Sequence, residues 1–181
     1  MLRRLLPLLF LACVGCASTQ DSTVATVPQV DLDRYTGKWY EIASYPMYFQ
    51  RKCLGDTTAQ YTAREDGRID VLNRCRSAKG FDEADGIATV VPDSGNARLR
   101  VSFFWPFKGD YWIIGLDPLY RWAVVGSPNR KYLWILARSP EMSAMRLEEA
   151  LAAARAQGYD LKELRYTEQN GKTSAPGAAK R

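Results

Sequence analysis

The chain has 181 residues, of which 46% are hydrophobic and 25% are charged, so one folded domain is expected and wholesale disorder is excluded. It contains no histidine, which excludes Ser-His-Asp and Cys-His catalytic devices and any His-ligated zinc or haem. The net charge of +5 comes from the chain ends, because Arg3 and Arg4 stand near the start and Lys172, Lys180 and Arg181 near the finish. A nucleic-acid-binding protein carries its basic residues on the folded domain, so no nucleic-acid partner is predicted.

Residues 1–15 have the pattern of a secretory signal peptide. Arginines precede an apolar segment from Leu5 to Val14, and small residues then lead to Cys16. The apolar segment is too short to remain as a membrane-spanning helix. Two alternatives stay open at this point, namely an ordinary cleaved signal peptide and processing at Cys13 instead of Cys16.

The end of this segment resembles the bacterial lipobox, which implies that Cys16 becomes the lipid-modified N-terminus. An anchor with several acyl chains holds a protein stably on a membrane. The next residue is Ala17 and not Asp. By resemblance to enterobacterial lipoproteins, this implies attachment to the outer membrane, most simply on its periplasmic side. Residues 16–30 are predicted to be the lipidated N-terminus and a flexible tether.

Eight short β-prone segments, separated by turn residues, follow between residues 37 and 138. The pair Asp66-Gly67 predicts a tight hairpin between the second and third segments. In the fifth segment, alternation places one set of apolar residues on a single face: Leu99, Val101, Phe103 and Trp105. The sixth and eighth segments are apolar on both faces, so they need a second apolar cover outside the sheet.

A helix after the eighth segment supplies that cover. Ser139 is the predicted N-cap, Pro140 fits the first turn, and Gly158 ends the helix. Its apolar face is predicted from helical spacing to comprise Ala144, Leu147, Leu151 and Ala154. The segment 161–167 offers one more short strand, and residues 169–181 are predicted to be a disordered tail.

The predicted fold is therefore mainly β: an eight-stranded antiparallel up-and-down barrel over residues 31–168, with one C-terminal helix packed outside. The interior of such a barrel can hold one small ligand.

The sequence resembles the lipocalin family, and within it the bacterial outer-membrane lipoproteins. Gly37 and Trp39 match the Gly-x-Trp element of the first strand, Asp117 and Tyr120 match the turn before the seventh strand, and Arg138 matches the arginine after the eighth. The resemblance implies that Arg138 packs across Trp39 at a closed barrel end. These residues are predicted to be structural, and no catalytic residue is predicted.

Cys53 and Cys75 are the two cysteines left after removal of the signal peptide. Export to an oxidising compartment predicts a disulfide between them. The alternative is a free catalytic thiol, as in an enzymatic branch of the lipocalins, which a paired cysteine cannot supply.

The family resemblance implies a carrier of a small apolar ligand, with fatty acids and lysophospholipids as the predicted partners and membrane maintenance or stress response as the role. It implies no cofactor and no metal, and it allows a homodimer.

Aromatic residues of the predicted mouth are the candidate ligand contacts: Tyr45, Tyr48, Phe49, Phe103, Trp105 and Phe107. Core packing is the alternative role for each of these aromatics. A lipid-modifying enzyme on the same fold and a structural lipoprotein with a protein partner are the rival functions.

Overall fold

A computed structural model describes residues 23–170 and 172–173, and its main feature is a closed antiparallel β-barrel of eight strands. The strands are β1 (Gly37–Ser44), β2 (Gly55–Ala63), β3 (Ile69–Ser77), β4 (Gly80–Val90), β5 (Arg98–Phe104), β6 (Phe107–Leu116), β7 (Trp122–Gly126) and β8 (Leu133–Ala137). Each strand pairs with the next along the chain, and β1 pairs with both β2 and β8. The predicted fold class is confirmed.

The first strand closes the barrel by changing partners along its length. Residues 37–40 of β1 pair with β2, whereas Ala43 and Ser44 pair with β9 (Arg165–Tyr166), the predicted extra strand. The register against β8 shifts between Glu41 and Ala43, as a β-bulge does. As a result, Trp39 and Glu41 point into the barrel, while Ile42 and Ala43 join the apolar cluster outside it.

The two ends of the barrel differ in how they are covered. The connections 45–54, 78–79, 105–106 and 127–132 lie at one end, which we call the open end. The connections 64–68, 91–97 and 117–121 lie at the other, which we call the closed end, together with the short helix α1 (Leu32–Tyr35) that precedes β1. This four-residue helix is not among the predicted elements.

Two hydrophobic clusters explain the segments that are apolar on both faces. The inner cluster fills the closed half of the barrel and includes Trp39, Tyr61 and Ile113. The outer cluster lies between the barrel wall and helix α2 (Ala144–Ala156), and it includes Ile135 and Leu151. Strands β6 to β8 contribute to both clusters, so apolar residues on both of their faces are buried.

The helix begins later than the sequence indicates. Its N-cap is Ser143, without a side-chain hydrogen bond, so the predicted start at Ser139 and Pro140 is wrong. The intervening residues carry the chain from the closed end to the barrel wall and bury Met142 in the outer cluster. Ala144 is exposed, contrary to prediction, whereas the rest of the predicted face is buried, and Gly158 follows the helix with a φ of 78°.

Residues 23–30 are not a flexible tether. They form an extended strap, in which Val24 is buried in the outer cluster and Val30 in the inner one. The amide of Val27 donates to the Ile113 carbonyl at 2.9 Å, and the amide of Val30 donates to the Gly95 carbonyl at 2.8 Å. Valines at every third position give this segment enough apolar surface to pack, so the predicted tether boundary at residue 30 is wrong. The predicted signal peptide and Cys16 lie outside the described residues.

The C-terminal boundary also differs from the prediction. Gln169 is buried and its side-chain amide donates to the carbonyls of Glu41 and Thr57, at 2.9 and 2.8 Å. Strands β10 (Glu168–Gln169) and β11 (Lys172–Thr173) form a short hairpin beyond it. The predicted start of the disordered tail at residue 169 is therefore too early, because Gln169 fills the gap where β1 and β2 separate. Residues 174–181 lie outside the described range. Within the described residues, no helix has the length and apolar character needed to cross a membrane.

Candidate functional site

The closed end is sealed by a cation on an aromatic ring. The guanidinium of Arg138 lies 3.9 Å from the centroid of the Trp39 ring and donates to the carbonyls of Lys38 and Tyr35, at 2.9 and 3.1 Å. Gly37, with a φ of 93°, allows this approach, because a Cβ there would lie 3.3 Å from the guanidinium. Burial lowers the pKa of Arg138, yet the ring and the carbonyls still favour its charged form.

The turn before β7 is shaped by a buried carboxylate. Asp117 accepts hydrogen bonds from the amides of Leu119 and Arg121 and a paired contact from the Arg121 guanidinium, with both N–O distances at 2.7 Å. These bonds hold the pKa of Asp117 below its usual range. Tyr120 takes a φ of 60° in this turn, and its hydroxyl accepts from the amide of Asp31 at 2.8 Å. The matched family residues therefore meet at the closed end, where each has a structural contact.

Three tyrosines form the floor of the barrel interior. The hydroxyl of Tyr111 is 2.7 Å from that of Tyr35 and 3.0 Å from that of Tyr61. Burial raises the pKa of Tyr61 to about 12, so all three remain neutral donors and acceptors at physiological pH. The void beside them measures about 10 Å³, enough for one water and too small for an acyl chain. A ligand inside the barrel would therefore have to bind nearer the open end.

Glu41 is an ionisable side chain that is buried in the open-end half of the barrel. One of its carboxylate oxygens accepts from the Thr167 hydroxyl at 2.5 Å and the other from the Gln50 side-chain amide at 3.0 Å. Burial raises its pKa, and the hydrogen bonds only partly offset that rise. Gln50 ends the 3₁₀ turn Tyr48–Gln50 at the open end, so Glu41 ties this turn to the barrel interior.

A line of aromatic rings leads from the open end into the barrel. Phe49 is exposed, and its ring centroid lies 6.0 Å from that of Tyr132. The Tyr132 ring stacks on Trp134 with centroids 5.9 Å apart and an interplanar angle of 22°. Trp134 is partly buried against the inner cluster. These three side chains give an apolar tail a continuous contact surface from solvent to interior.

The candidate ligand contacts separate into different positions. Tyr45 lies on the helix side of the wall, where its hydroxyl donates to the Asp160 carbonyl at 2.9 Å and its ring contacts Tyr159. Phe103 lies against Gly86 on the inner face of the sheet, close enough that a Cβ at Gly86 would be 2.8 Å from the ring.

The other four candidates are exposed at the open end: Tyr48, Phe49, Trp105 and Phe107. Trp105 is the extreme case, with 89% of its surface exposed, so it does not extend the inward face of β5 as its alternation predicts. The β5–β6 register shifts between Val101 and Phe104, and this irregularity interrupts the alternation.

The predicted disulfide is confirmed. Cys53 and Cys75 are bonded, with their Cα atoms 5.5 Å apart. The bridge joins the loop after β1 to the open-end half of β3, so neither sulfur is available as a free thiolate. It also fixes the segment that carries Phe49 and Gln50.

A second concave surface lies outside the barrel, on the outer face of β2 to β5. It encloses about 720 Å³, and its lining combines charged side chains, including Arg68, Asp70, Asp85 and Arg100, with apolar ones, including Leu72, Ile87 and Trp105. An apolar ligand on this surface would have to desolvate those charged side chains, which costs free energy. The barrel interior is therefore the better candidate site.

Comparison with known proteins agrees with this geometry. Residues 30–169 match the family described as the lipocalin-like domain. The chain is a lipocalin. It is 40% identical over 176 residues to the outer membrane lipoprotein Blc of Escherichia coli K12, covering 93% of this chain and 99% of that protein. The family membership predicted from Gly37, Trp39 and Arg138 is thus confirmed.

This lipocalin also resembles proteins from eukaryotes. Temperature-induced lipocalin-1 of Arabidopsis thaliana is 38% identical over 161 residues, covering 84% of this chain and 86% of that protein. Insecticyanin from the tobacco hornworm has the same fold, with a TM-score of 0.68 at 18% identity over 81% of this chain and 85% of the other. The described part of the lipocalin chain brings together no group of three or more His, Cys, Asp or Glu residues able to hold a metal.

Sequence reasoning missed several residues of the site: Glu41, Gln50, Tyr132, Trp134 and the tyrosine floor. Glu41 had a usable signal, since it stands two residues after Trp39 in the same strand and therefore shares its inward face. Trp134 needed the register of β8, because both faces of that strand are apolar. The contact between Gln50 and Glu41 depends on a loop conformation that no sequence pattern specifies.

Proposed function

We propose that this lipocalin is anchored in the outer membrane by Cys16, faces the periplasm, and stores or transports a fatty acid or lysophospholipid in membrane maintenance or stress response. The observation that carries the proposal is the line of rings from Phe49 through Tyr132 to Trp134, which ends above a floor too full to admit a ligand. Each methylene buried along such a surface contributes about 0.8 kcal/mol. An acyl chain thus gains affinity without any chemical step.

Charge favours entry with the tail first. Glu41 is a buried carboxyl group in the open-end half of the interior, and its ionised form would repel an anionic headgroup placed beside it, where little water screens the two groups. Arg51, Lys52 and Lys131 are exposed at the open end. A carboxylate or phosphate headgroup is therefore stabilised at the mouth while the tail occupies the interior.

The anchor is supported by the lipobox-like ending before Cys16 and by the relative named an outer membrane lipoprotein. Cys16→Ser tests it directly. The variant should leave the membrane fraction or remain unprocessed, whereas unchanged membrane partition with normal processing would contradict the role of Cys16.

Displacement of a fluorescent fatty acid tests the binding site. Tyr132→Arg places a charge within the aromatic line and should weaken binding by at least about tenfold, since about 1.4 kcal/mol corresponds to a tenfold change. Leu119→Arg, at an exposed position of the closed end, is the matched control and should bind as the native chain does. Equal affinity of the two variants would contradict binding through the open end.

A further inference from the structure

The open end carries a set of large aromatic side chains that are exposed to solvent. We call Tyr48, Phe49, Phe104, Trp105 and Phe107 the aromatic rim, and each is at least 63% exposed. They come from two features on opposite sides of the barrel mouth, the 3₁₀ turn after β1 and the β5–β6 hairpin. A protein rarely exposes this many large apolar side chains around one end unless they contact something other than water.

The charges of the connecting loops also differ between the two ends of the barrel. The four open-end connections hold five cations and no carboxylate: Arg51, Lys52, Lys79, Arg130 and Lys131. The three closed-end connections hold three cations and four carboxylates: Arg64, Arg68 and Arg121, with Glu65, Asp66, Asp93 and Asp117. The loops of the open end are therefore positive as well as aromatic, whereas the loops of the closed end carry both signs of charge.

The strap brings the N-terminal side of the chain to the same end. The amide of Ala25 donates to the Gln157 side-chain carbonyl at 2.8 Å, and the Gln157 backbone carbonyl accepts from Arg130 at 2.7 Å. Arg130 belongs to the open-end connection 127–132. From Thr23 back to Cys16 the covalent chain spans at most about 25 Å. An anchor at Cys16 would thus hold the open end, and not the closed end, near the bilayer.

We infer that the aromatic rim docks on an anionic lipid surface, so that the barrel mouth faces the bilayer to which the chain is anchored. Tyr, Trp and Phe side chains suit the boundary between headgroups and acyl chains, and the surrounding cations match anionic headgroups. The inference deepens the proposed function, because a docked mouth takes a lipid directly from the membrane without exposing its tail to water. The proposed anchor at Cys16 already holds this end near lipid, which favours a lipid surface over a protein partner.

Quenching of tryptophan emission by brominated lipids tests the inference. The full chain is reconstituted in vesicles of brominated phosphatidylcholine containing phosphatidylglycerol, and emission is compared between the native chain and Trp105→Phe. The difference between them belongs to Trp105. Docking predicts that this difference is largely lost in brominated vesicles and retained in vesicles of unbrominated lipid. Emission from Trp105 that bromine leaves unchanged would overturn the inference and leave a protein partner as the occupant of the rim.

The closed end provides the matched control. Leu119 is 65% exposed there, and Leu119→Trp in the Trp105→Phe background reports whether that end touches lipid. It should not be quenched, and equal quenching at both positions would overturn the assigned orientation. Lys131→Glu should reduce Trp105 quenching at least about twofold, whereas Lys38→Glu at the closed end should not. Quenching that is the same without phosphatidylglycerol would overturn the charge part of the inference.

The same experiment separates docking from ligand binding. Trp134 lies inside the barrel, so bromine carried in by a bound lipid quenches the emission that remains in Trp105→Phe. Quenching of Trp105 without any change in that remaining emission would support docking and count against the proposed ligand.

Discussion

The guanidinium of Arg138 lies over the Trp39 ring, 3.9 Å from its centroid, and this contact joins the end of β8 to the start of β1. The same side chain donates to backbone carbonyls of helix α1 and of the residue after Gly37, namely those of Tyr35 and Lys38. One cation therefore holds three segments of the closed end together.

Replacement of Arg138 should destabilise the fold without affecting the mouth. Arg138→Ala removes hydrogen bonds to three backbone carbonyls and uncovers the indole, so we expect a loss of about 2–4 kcal/mol of unfolding free energy in urea titrations. Arg138→Lys should recover only part of the lost stability, because a lysine ammonium lacks the planar guanidinium that covers the indole and donates to several carbonyls. Arg155→Ala, which breaks an exposed helix ion pair, should cost less than about 0.5 kcal/mol. Similar losses for Arg138→Ala and Arg155→Ala would refute the closing role.

Removal of the disulfide should lower stability while leaving the barrel intact. The double change Cys53→Ala and Cys75→Ala opens a link between residues 22 apart, which the loop-entropy model values at roughly 3 kcal/mol. Reductant should destabilise the native chain by a similar amount and leave the double variant unchanged. Non-reducing peptide mapping of exported protein should recover one linked peptide pair, and two alkylatable thiols would contradict the bridge.

The pH dependence of stability should show the buried Glu41. Its raised pKa means that the folded chain holds the proton more tightly than the unfolded chain, whose carboxyl titrates near 4.5. The stability that protonated Glu41 contributes is therefore fully present below that pH. It is lost as the pH rises through the higher pKa of Glu41 in the folded chain. Glu41→Gln should therefore flatten the decline of stability in this window, as measured by urea unfolding over a pH series. An unchanged slope would be inconsistent with a buried carboxyl.

Asp117 should contribute a pH dependence of stability opposite in sign to that of Glu41. Its lowered pKa gives a contribution that is present above the ordinary value of 3.8 and is lost as the pH falls through the lower folded value. Asp117→Asn should remove part of the acid-induced loss of stability, at the cost of lower stability at neutral pH because the Arg121 contact is broken.

The strap should contribute to folding. Val30 is fully buried, so Val30→Ala removes apolar contacts and should cost about 2 kcal/mol. Gln29→Ala, at the exposed neighbouring position, should have almost no effect on unfolding. If both changes are neutral, residues 23–30 act only as a tether.

The strands and their order were accessible from the sequence because turn residues and apolar alternation repeat along it, and because Trp39 and Arg138 match family elements. The strap was not accessible, since Val24, Val27 and Val30 follow neither a strand nor a helix period. The late helix start was missed because Ser139 and Pro140 satisfy the capping rules locally, while the path from Arg138 to the barrel wall requires the extra residues.

The site was less predictable than the fold. The aromatic residues of the mouth were identifiable as a group, but their directions depend on loop conformation and on the irregular register of β5 and β6. Tyr45 illustrates the problem: it follows β1 in sequence, yet its hydroxyl bonds to Asp160 on the helix side. Only the three-dimensional arrangement shows that Tyr132 and Trp134 continue the surface begun by Phe49.

A chain-length series on delipidated protein tests the central claim most directly. Saturated fatty acids of increasing length are titrated by calorimetry, and the ligand is then recovered for mass spectrometry. We predict that one ligand binds per barrel and that its mass is unchanged. The binding free energy should become more favourable by up to about 0.8 kcal/mol per added methylene until the open-end half of the interior is filled. Affinity that does not depend on chain length would contradict an acyl carrier, and a changed ligand mass would show an enzyme instead.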